Sequence, residues 1–288
     1  MRSLGIDIGG SSVKAAIRSD ETVMTARSPG YFQPSREALS TAVGQVIQEL
    51  GPDIDQSVPV GLCLPGKQSA SGDRVEYAIN MPCLNDWAFS DMLQDMLGFM
   101  PLQHRVVSDI HATATDLVSV NKLEGRVAII AIGTGVGFAM MEHGHFIGIG
   151  SGGAGFLGQL DVGRCGNEDR FHSDGSKNTL ESYVGIRAMR EQLGTDDENA
   201  IVEYIDAMGE DSPFLRAIVQ AMRVVHAIHV PDTIVLAGGI GIAMHSFSDE
   251  IHTLVSDRLT TLSNSSWKLV FGDTLFHAAS GAARLAAM

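Results

Sequence analysis

Cysteine is scarce in this 288-residue chain: Cys63, Cys83 and Cys165 are three, an odd number at wide spacing. That pattern fits reduced cytosolic thiols far better than a secreted disulfide frame. Positive charge is short too, with 20 Lys and Arg against 34 Asp and Glu and a formal net charge of -14. A basic footprint for nucleic acid or an anionic membrane is therefore missing, and any anionic ligand must be held locally, by backbone N–H groups or a few cations. No apolar run reaches the ~18 residues that cross a bilayer. Met1-Arg2-Ser3 leads straight into a strand-like LGIDI, so neither a signal peptide nor an N-terminal DNA-binding module is expected. The expectation is a soluble cytoplasmic protein without nucleic-acid or membrane partners.

What is present is globular: 44% hydrophobic and 19% charged residues leave no room for a long polyelectrolyte tail. The length is about twice that of a typical domain, so two domains or one lobed domain are expected. Leu4 to Ile8, a Gly-Gly-Ser-Ser turn and Val13 to Ile17 read as a hairpin, with Val23 to Ala26 able to pair beside it. Ala38, Leu39, Ala42, Val43, Val46, Ile47 and Leu50 form a helical stripe behind Ser35 as N-cap. Val58 to Leu64 returns as a strand that breaks at Pro65-Gly66, and Arg105 to Val107 is a short strand before a helical run from Asp109 to about Val120. Further on come a helix around Leu215 to Ile228, a buried strand Thr233 to Ala237 and an Ala-rich helix near Phe276 to Met288. The alternation gives an α/β class. Ile8-Gly9-Gly10-Ser11-Ser12-Val13 matches Ile132-Gly133-Thr134-Gly135-Val136-Gly137 at an offset of 124, a strand-turn-strand repeat that predicts two similar lobes facing across a cleft.

Turns of Gly, Ser and Thr offer convergent N–H donors to phosphates without a basic surface. Three are candidates: Gly9 to Ser12, Gly133 to Gly135, and Gly238-Gly239. Asp7 ends a buried strand just before the first. Its carboxylate needs a bound cation or hydrogen-bond donors, unless it merely caps its own turn. Two other glycine motifs are set aside. Gly61 to Gln68 nearly matches a phosphate loop, but Gln68 replaces the Ser or Thr that binds magnesium and a polar loop follows where a helix is required. Gly148 to Gly153 fits GxGxxG only because its surroundings are glycine-rich. Asp109, at or near a helix N-terminus, is either an N-cap or a general base aimed at a substrate hydroxyl.

The order and spacing of LGIDIGGSSVKAAI, GLCLPG, NMPCLNDW, VVSDIHATATDL, AIGTGVGFAMMEHGHFIGIGSGGAGFLGQL, TLESYVG and IVLAGGIG resemble the ROK family of bacterial sugar kinases, in the actin-like ATPase superfamily. The resemblance covers nearly the whole chain. It implies two actin-like, ribonuclease H-like lobes with mixed sheets flanking a nucleotide and sugar cleft, residues 1–117 with 276–288 forming one lobe and 118–275 the other. It also implies glucokinase-like phosphorylation of a sugar hydroxyl by ATP, with Asp109 as the base and Asp7 ordering Mg2+ through water. Gly9, Gly10, Ser11 and Ser12 with Gly133, Thr134 and Gly135 would grip the phosphates, and Gly238 and Gly239 would lie against the adenosine. Gly66, Asn80, Ser108, Gln159 and Glu181 would fall on the sugar side, and a homodimer is implied.

The chain also departs from the family pattern. Ser108 stands where the family has Asn before the catalytic Asp, and His111 where it has Asn two residues after. Phe156 and Gln159 replace a sugar-contacting Glu and His. That His and three cysteines hold zinc in most members; here Cys165 alone remains, in GRCGNEDRFHSDGSKNTLE, with His172 a poor substitute. No zinc is expected, so packing or another subunit must hold that loop. Two functions follow: a sugar kinase with an altered pocket, or a catalytically impaired regulatory protein that binds sugar or nucleotide.

Overall fold

The hairpin that opens the sequence seeds a five-stranded sheet. A computed structural model describes residues 2–19, 22–51, 53–78, 81–148, 153–172, 174–195, 197–209 and 211–288, excepting the side chain of Glu198. The chain divides into two compact units, Met1–Asn121 with Phe276–Met288, and Lys122–Leu275. The first break falls just past the end of the Asp109 helix.

In chain order the first unit contains β1 (Arg2–Ile8), β2 (Val13–Ser19), β3 (Thr22–Arg27), α1 (Arg36–Leu50), β4 (Val60–Leu64), β5 (Lys67–Gln68), β6 (Val75–Tyr77), α2 (Phe89–Leu97), β7 (His104–Ser108) and α3 (Asp109–Val120). The second contains β8 (Arg126–Ile132), β9 (Val136–Glu142), β10 (His145–Ile147), α4 (Leu180–Val184), α5 (Ile186–Leu193), α6 (Glu198–Asp206), α7 (Pro213–His229), β11 (Thr233–Ala237), α8 (Gly238–Ala243), α9 (Ser248–Ser256) and β12 (Lys268–Phe271). Then α10 (His277–Ala286) returns to the first unit.

The two main sheets share one topology, β3-β2-β1-β4-β7 and β10-β9-β8-β11-β12. In each, three strands run as an antiparallel meander and two more add in parallel. The repeat read in the sequence is thus a repeat of structure. Its offset of 124 holds from β1 to β8 and drops by one at β9, because Ile8 pairs with Val13 whereas Ile132 pairs with Val136. The second turn is one residue shorter. Small buried strand residues and the parallel pairing explain why β4 and β11 read as unbroken apolar runs.

In the first unit, α1 starts at Ser35, whose side chain accepts the Ala38 N–H, and buries Leu39, Ala42, Val43, Val46 and Leu50. Cys63 of β4, Ala112 of α3, and Ala278 and Ala282 of α10 make a separate cluster. The contact is close: a Cβ on Gly281 would strike the carbonyl of Ala112, and one on Gly5 the carbonyl of Ala279. Asp116 locks this layer, accepting from Arg284 Nε at 2.7 Å and lying 2.9 Å from His277 Nδ1. In the second unit α7 supplies the central apolar helix, from Phe214 to Val225. No helix among the described residues is long and apolar enough to cross a membrane.

Candidate functional site

The β1–β2 turn carries the first group of candidates. Lys14, Asp7 and Cys63 are in register on β2, β1 and β4, and therefore share one face of the sheet. Asp7 is 6% exposed, and Lys14 Nζ donates to its Oδ2 at 3.3 Å. The donor that a buried carboxylate requires is thus a side chain of the same hairpin; among the described residues Oδ1 has no hydrogen-bond partner. Tyr31 donates its hydroxyl to the Gly9 carbonyl at 2.7 Å, and burial followed by the Asp7 charge raises its pKa. The turn closes through Gly9 N–H to Ser12 O at 3.2 Å, leaving the N–H groups of Gly10 and Ser11 without protein partners among the described residues. Ser12 is fully buried and its hydroxyl accepts from Arg27, so only the earlier part of the turn keeps a surface that a phosphate could meet.

Asp109 lies at the first position of α3, and the cap is its neighbour. Ser108 has the extended backbone of an N-cap, with ψ 148, and its side chain accepts the His111 N–H. The capping reading of Asp109 is therefore corrected. Its Oδ1 accepts only the adjacent Ile110 N–H, at 2.7 Å. Burial first, and the Asp7 charge second, push the Asp109 pKa up to about 6 against the opposing pull of Ile110 N–H and Lys14. The side chain nevertheless keeps accessible surface. Surrounding protein mass sets its proton affinity, while the accessible surface decides whether a substrate can reach it. The same burial, with Asp7 and Asp109 adding to it, drives the Cys63 thiol far above its ordinary value, so Cys63 is an inert core residue. Gly66, at the end of β4, has φ +96, and a Cβ there would meet the Tyr77 carbonyl. The polar segment after it forms the small β5–β6 pair and no helix, as its rejection as a phosphate loop requires. Asn80 lies outside the described residues.

In the second unit, Gly133, Thr134 and Gly135 join β8 to β9. Ile186 N–H donates to Gly133 O at 2.9 Å and Glu181 Oε2 accepts the Val136 N–H at 2.9 Å, so the start of α5 and the body of α4 hold the turn at both ends. The N–H groups of Thr134 and Gly135 have no protein partner among the described residues. Glu181 Oε1 in turn lies 3.0 Å from His172 Nε2. Gly238, the first residue of α8, must be glycine, having φ +76 and a carbonyl of β8 where a Cβ would project; Gly239 follows it in the helix. Phe156, 71% exposed, and Gln159 line a 270 Å³ groove with Phe138, Leu160, Ile228 and His229. Part of the other glycine segment, residues 149–152, lies outside the described residues. Cys165 is 7% exposed, with its N–H on the Tyr183 hydroxyl, and among the described residues no three His, Cys, Asp or Glu are grouped to hold a metal. Polar contacts tie the loop around it: Asn178 bonds Tyr183, Asp169 and Arg170 N–H, and Arg164 pairs with Asp169 at 2.9 Å.

Sequence reasoning overlooked Lys14 and Tyr31 as parts of the Asp7 turn. The signal for Lys14 was available, since a four-residue hairpin turn after Ile8 places it opposite Asp7. Tyr31 carried none, because its approach to Gly9 depends on the path after β3.

A mixed sheet built twice in the same strand order, each with a glycine turn after its first strand, defines an actin-like α/β protein. The chain belongs to the ROK family, whose model matches residues 3–287. Its fold is similar to that of a ROK family glucokinase from Streptomyces griseus in complex with glucose and AMPPNP, at 18% identity and TM-score 0.74 over 99% of each chain. An inorganic polyphosphate/ATP-glucomannokinase from Arthrobacter is 21% identical, with TM-score 0.64 over 99% of this chain and 98% of that one. A ROK family transcriptional regulator, a homolog of the E. coli MLC protein, is 15% identical, with TM-score 0.73 over 99% of this chain and 78% of that one. No curated protein matches in sequence.

Proposed function

We propose that this protein is an ATP-dependent sugar kinase, a cytoplasmic homodimer that transfers a phosphoryl group to a sugar or sugar-like hydroxyl with Asp109 as general base. The observation that carries this reading is the state of Asp109: relieved of capping by Ser108, accessible, and raised to about 6. A carboxylate of that proton affinity is ionised at neutral pH yet basic enough to draw a hydroxyl proton as phosphate bonding develops. The turns supply the remaining requirement, with N–H groups at Gly10 and Ser11, and at Thr134 and Gly135, that have no protein partner among the described residues and suit phosphate oxygens. Lys14 adds the local cation that the acidic chain otherwise lacks, and Gly238 and Gly239 offer a bare backbone to an adenosine. Asp7 fits a divalent ion carried by ATP, because Oδ1 is left for a metal-bound water while Lys14 holds Oδ2. Mg2+ there would neutralise phosphate charge.

On the sugar side we assign Gly66, Asn80, Ser108, Gln159 and Glu181. Glu181 reaches that role with both carboxylate oxygens already engaged, and Ser108 with its hydroxyl accepting a backbone N–H. The apolar groove at Phe156 favours the second reading, a regulatory binder that has lost turnover. Release of ADP, or loss of polyphosphate, across hexoses, N-acetylated hexosamines and polyols decides between them. Turnover on any of these supports the kinase; binding without turnover on all supports the regulator. Purified protein is expected to hold well under one zinc per chain by elemental analysis, and stoichiometric zinc after dialysis refutes that part.

A further inference from the structure

We propose that His172 is a positioning residue for the Gly133–Gly135 turn, neutralising Glu181 beside it so that the turn can accept a polyphosphate. This rests on the reading of that turn as a phosphate site. His172 is a nearly buried side chain, 9% exposed, with Nε2 3.0 Å from Glu181 Oε1 and Nδ1 3.1 Å from Asp174 Oδ1. Nε2 is within hydrogen-bond reach of Glu181, while the Asp174 carboxylate lies close to Nδ1 without being aligned as a hydrogen-bond acceptor, and two carboxylates at these distances favour the imidazolium. Burial lowers the His172 pKa, but the hydrogen bonds and charges of Glu181 and Asp174 outweigh it and raise it overall. Glu181 is pressed against the turn: a Cβ on Gly135 would stand 2.7 Å from Oε2 and one on Gly158 2.9 Å from it. Its Oε2 holds the Val136 N–H. An uncompensated carboxylate there would face the phosphates that the Thr134 and Gly135 N–H groups would bind, and His172 removes that repulsion.

The backbone fixes His172 independently of any ligand, with its N–H on Ser176 O at 2.8 Å and its carbonyl accepting Gly175 N–H at 3.0 Å. Among the described residues, Asp174 and Glu181 are the titratable groups that face the ring. The basic side chains of the segment are engaged elsewhere: Arg164 and Lys177 with Asp169, Arg170 with Gln192. The turn and residues 157–159 contribute no titratable side chain.

Calorimetry of ATP·Mg binding between pH 6 and 9 tests the electrostatic part. Wild-type affinity is expected to fall three- to tenfold, roughly, as His172 deprotonates. His172→Gln should bind as weakly at pH 6 as wild type does at pH 9, and His172→Gln with Glu181→Gln should recover the loss. Unchanged affinity and pH dependence in His172→Gln, or no recovery in the double variant, overturns the proposal. The ligand-free protein gives a separate readout: nitrogen spectra should show both ring nitrogens of His172 protonated at pH 7, and Val136 amide exchange should quicken about tenfold in His172→Ala. A neutral ring or unchanged Val136 exchange overturns the clamp. Wild type that binds no ATP at any pH overturns the phosphate reading, while these spectra still decide the clamp.

Discussion

Replacing Asp109 by Asn removes a proton acceptor and almost nothing else. Asn keeps an oxygen for the Ile110 N–H, and the helix cap is on Ser108, so α3 should stay intact. A carboxyl raised to about 6 from 3.8 favours the protonated folded state. Its stabilising contribution is present below the unfolded value and lost as pH rises through about 6, so at neutral pH the ionised group opposes folding. Because the side chain is exposed, screening leaves at most ~1 kcal/mol of this. Asp109→Asn should therefore melt at the same temperature or about 2 °C higher at pH 7.5, with no difference near pH 4. Turnover should collapse by about 10²–10⁴-fold while sugar and nucleotide still bind. In the wild type kcat/KM should climb with pH through about 6 and then level, and the variant's residual rate should lack that limb. ADP release measured on the best substrate of the sugar panel is the assay. A variant within tenfold of wild type, or a wild-type profile without the acid limb, refutes Asp109 as the base.

Three further outcomes concern stability. Gly281→Ala places a methyl into the Ala112 carbonyl and should cost about 1–3 kcal/mol in chemical denaturation, whereas Gly44→Ala, with open space around it, should not destabilise; equal effects would contradict the close packing of α10. Asp116→Ala leaves Arg284 unpaired in the α3–α10 layer and should lose about 3 kcal/mol, a loss that Asp116→Asn should share only in part; a neutral Ala variant would mean that the network is without energetic weight. His226 has no exposed surface, no hydrogen-bond partner at either ring nitrogen among the described residues, and a pKa lowered to about 4 by burial and then by His252. With the folded value depressed, its contribution is present above the unfolded pKa and lost as pH falls from about 6.5 to 4. His226→Leu should flatten that loss by roughly 2–3 kcal/mol in urea melts, and an unchanged acid limb would place the proton elsewhere.

Local pattern was enough for much of this protein. The apolar run of β11 from Thr233 to Ala237, the Ser35 cap with the stripe of α1, and the helix beginning at Asp109 each depend on neighbours within about one turn or one strand. The repeat was legible for the same reason, since both copies carry a strand, a glycine turn and a strand. Helix α2 was not, because it starts behind Ala88 with no side-chain cap, and α5 follows Gly185 in the same uncapped way. Tertiary structure decided the partnerships. It chose Ser108 over Asp109 as cap through one backbone angle, brought Tyr31 onto the Gly9 carbonyl, and set Glu181 on the Val136 N–H across 45 residues of sequence. It set His172, a poor metal ligand by sequence, between the carboxylates of Asp174 and Glu181. A residue's chemistry is written in the chain, but its charge state and what it can bind depend on which distant groups the fold places within about 3 Å, and periodicity carries no record of those.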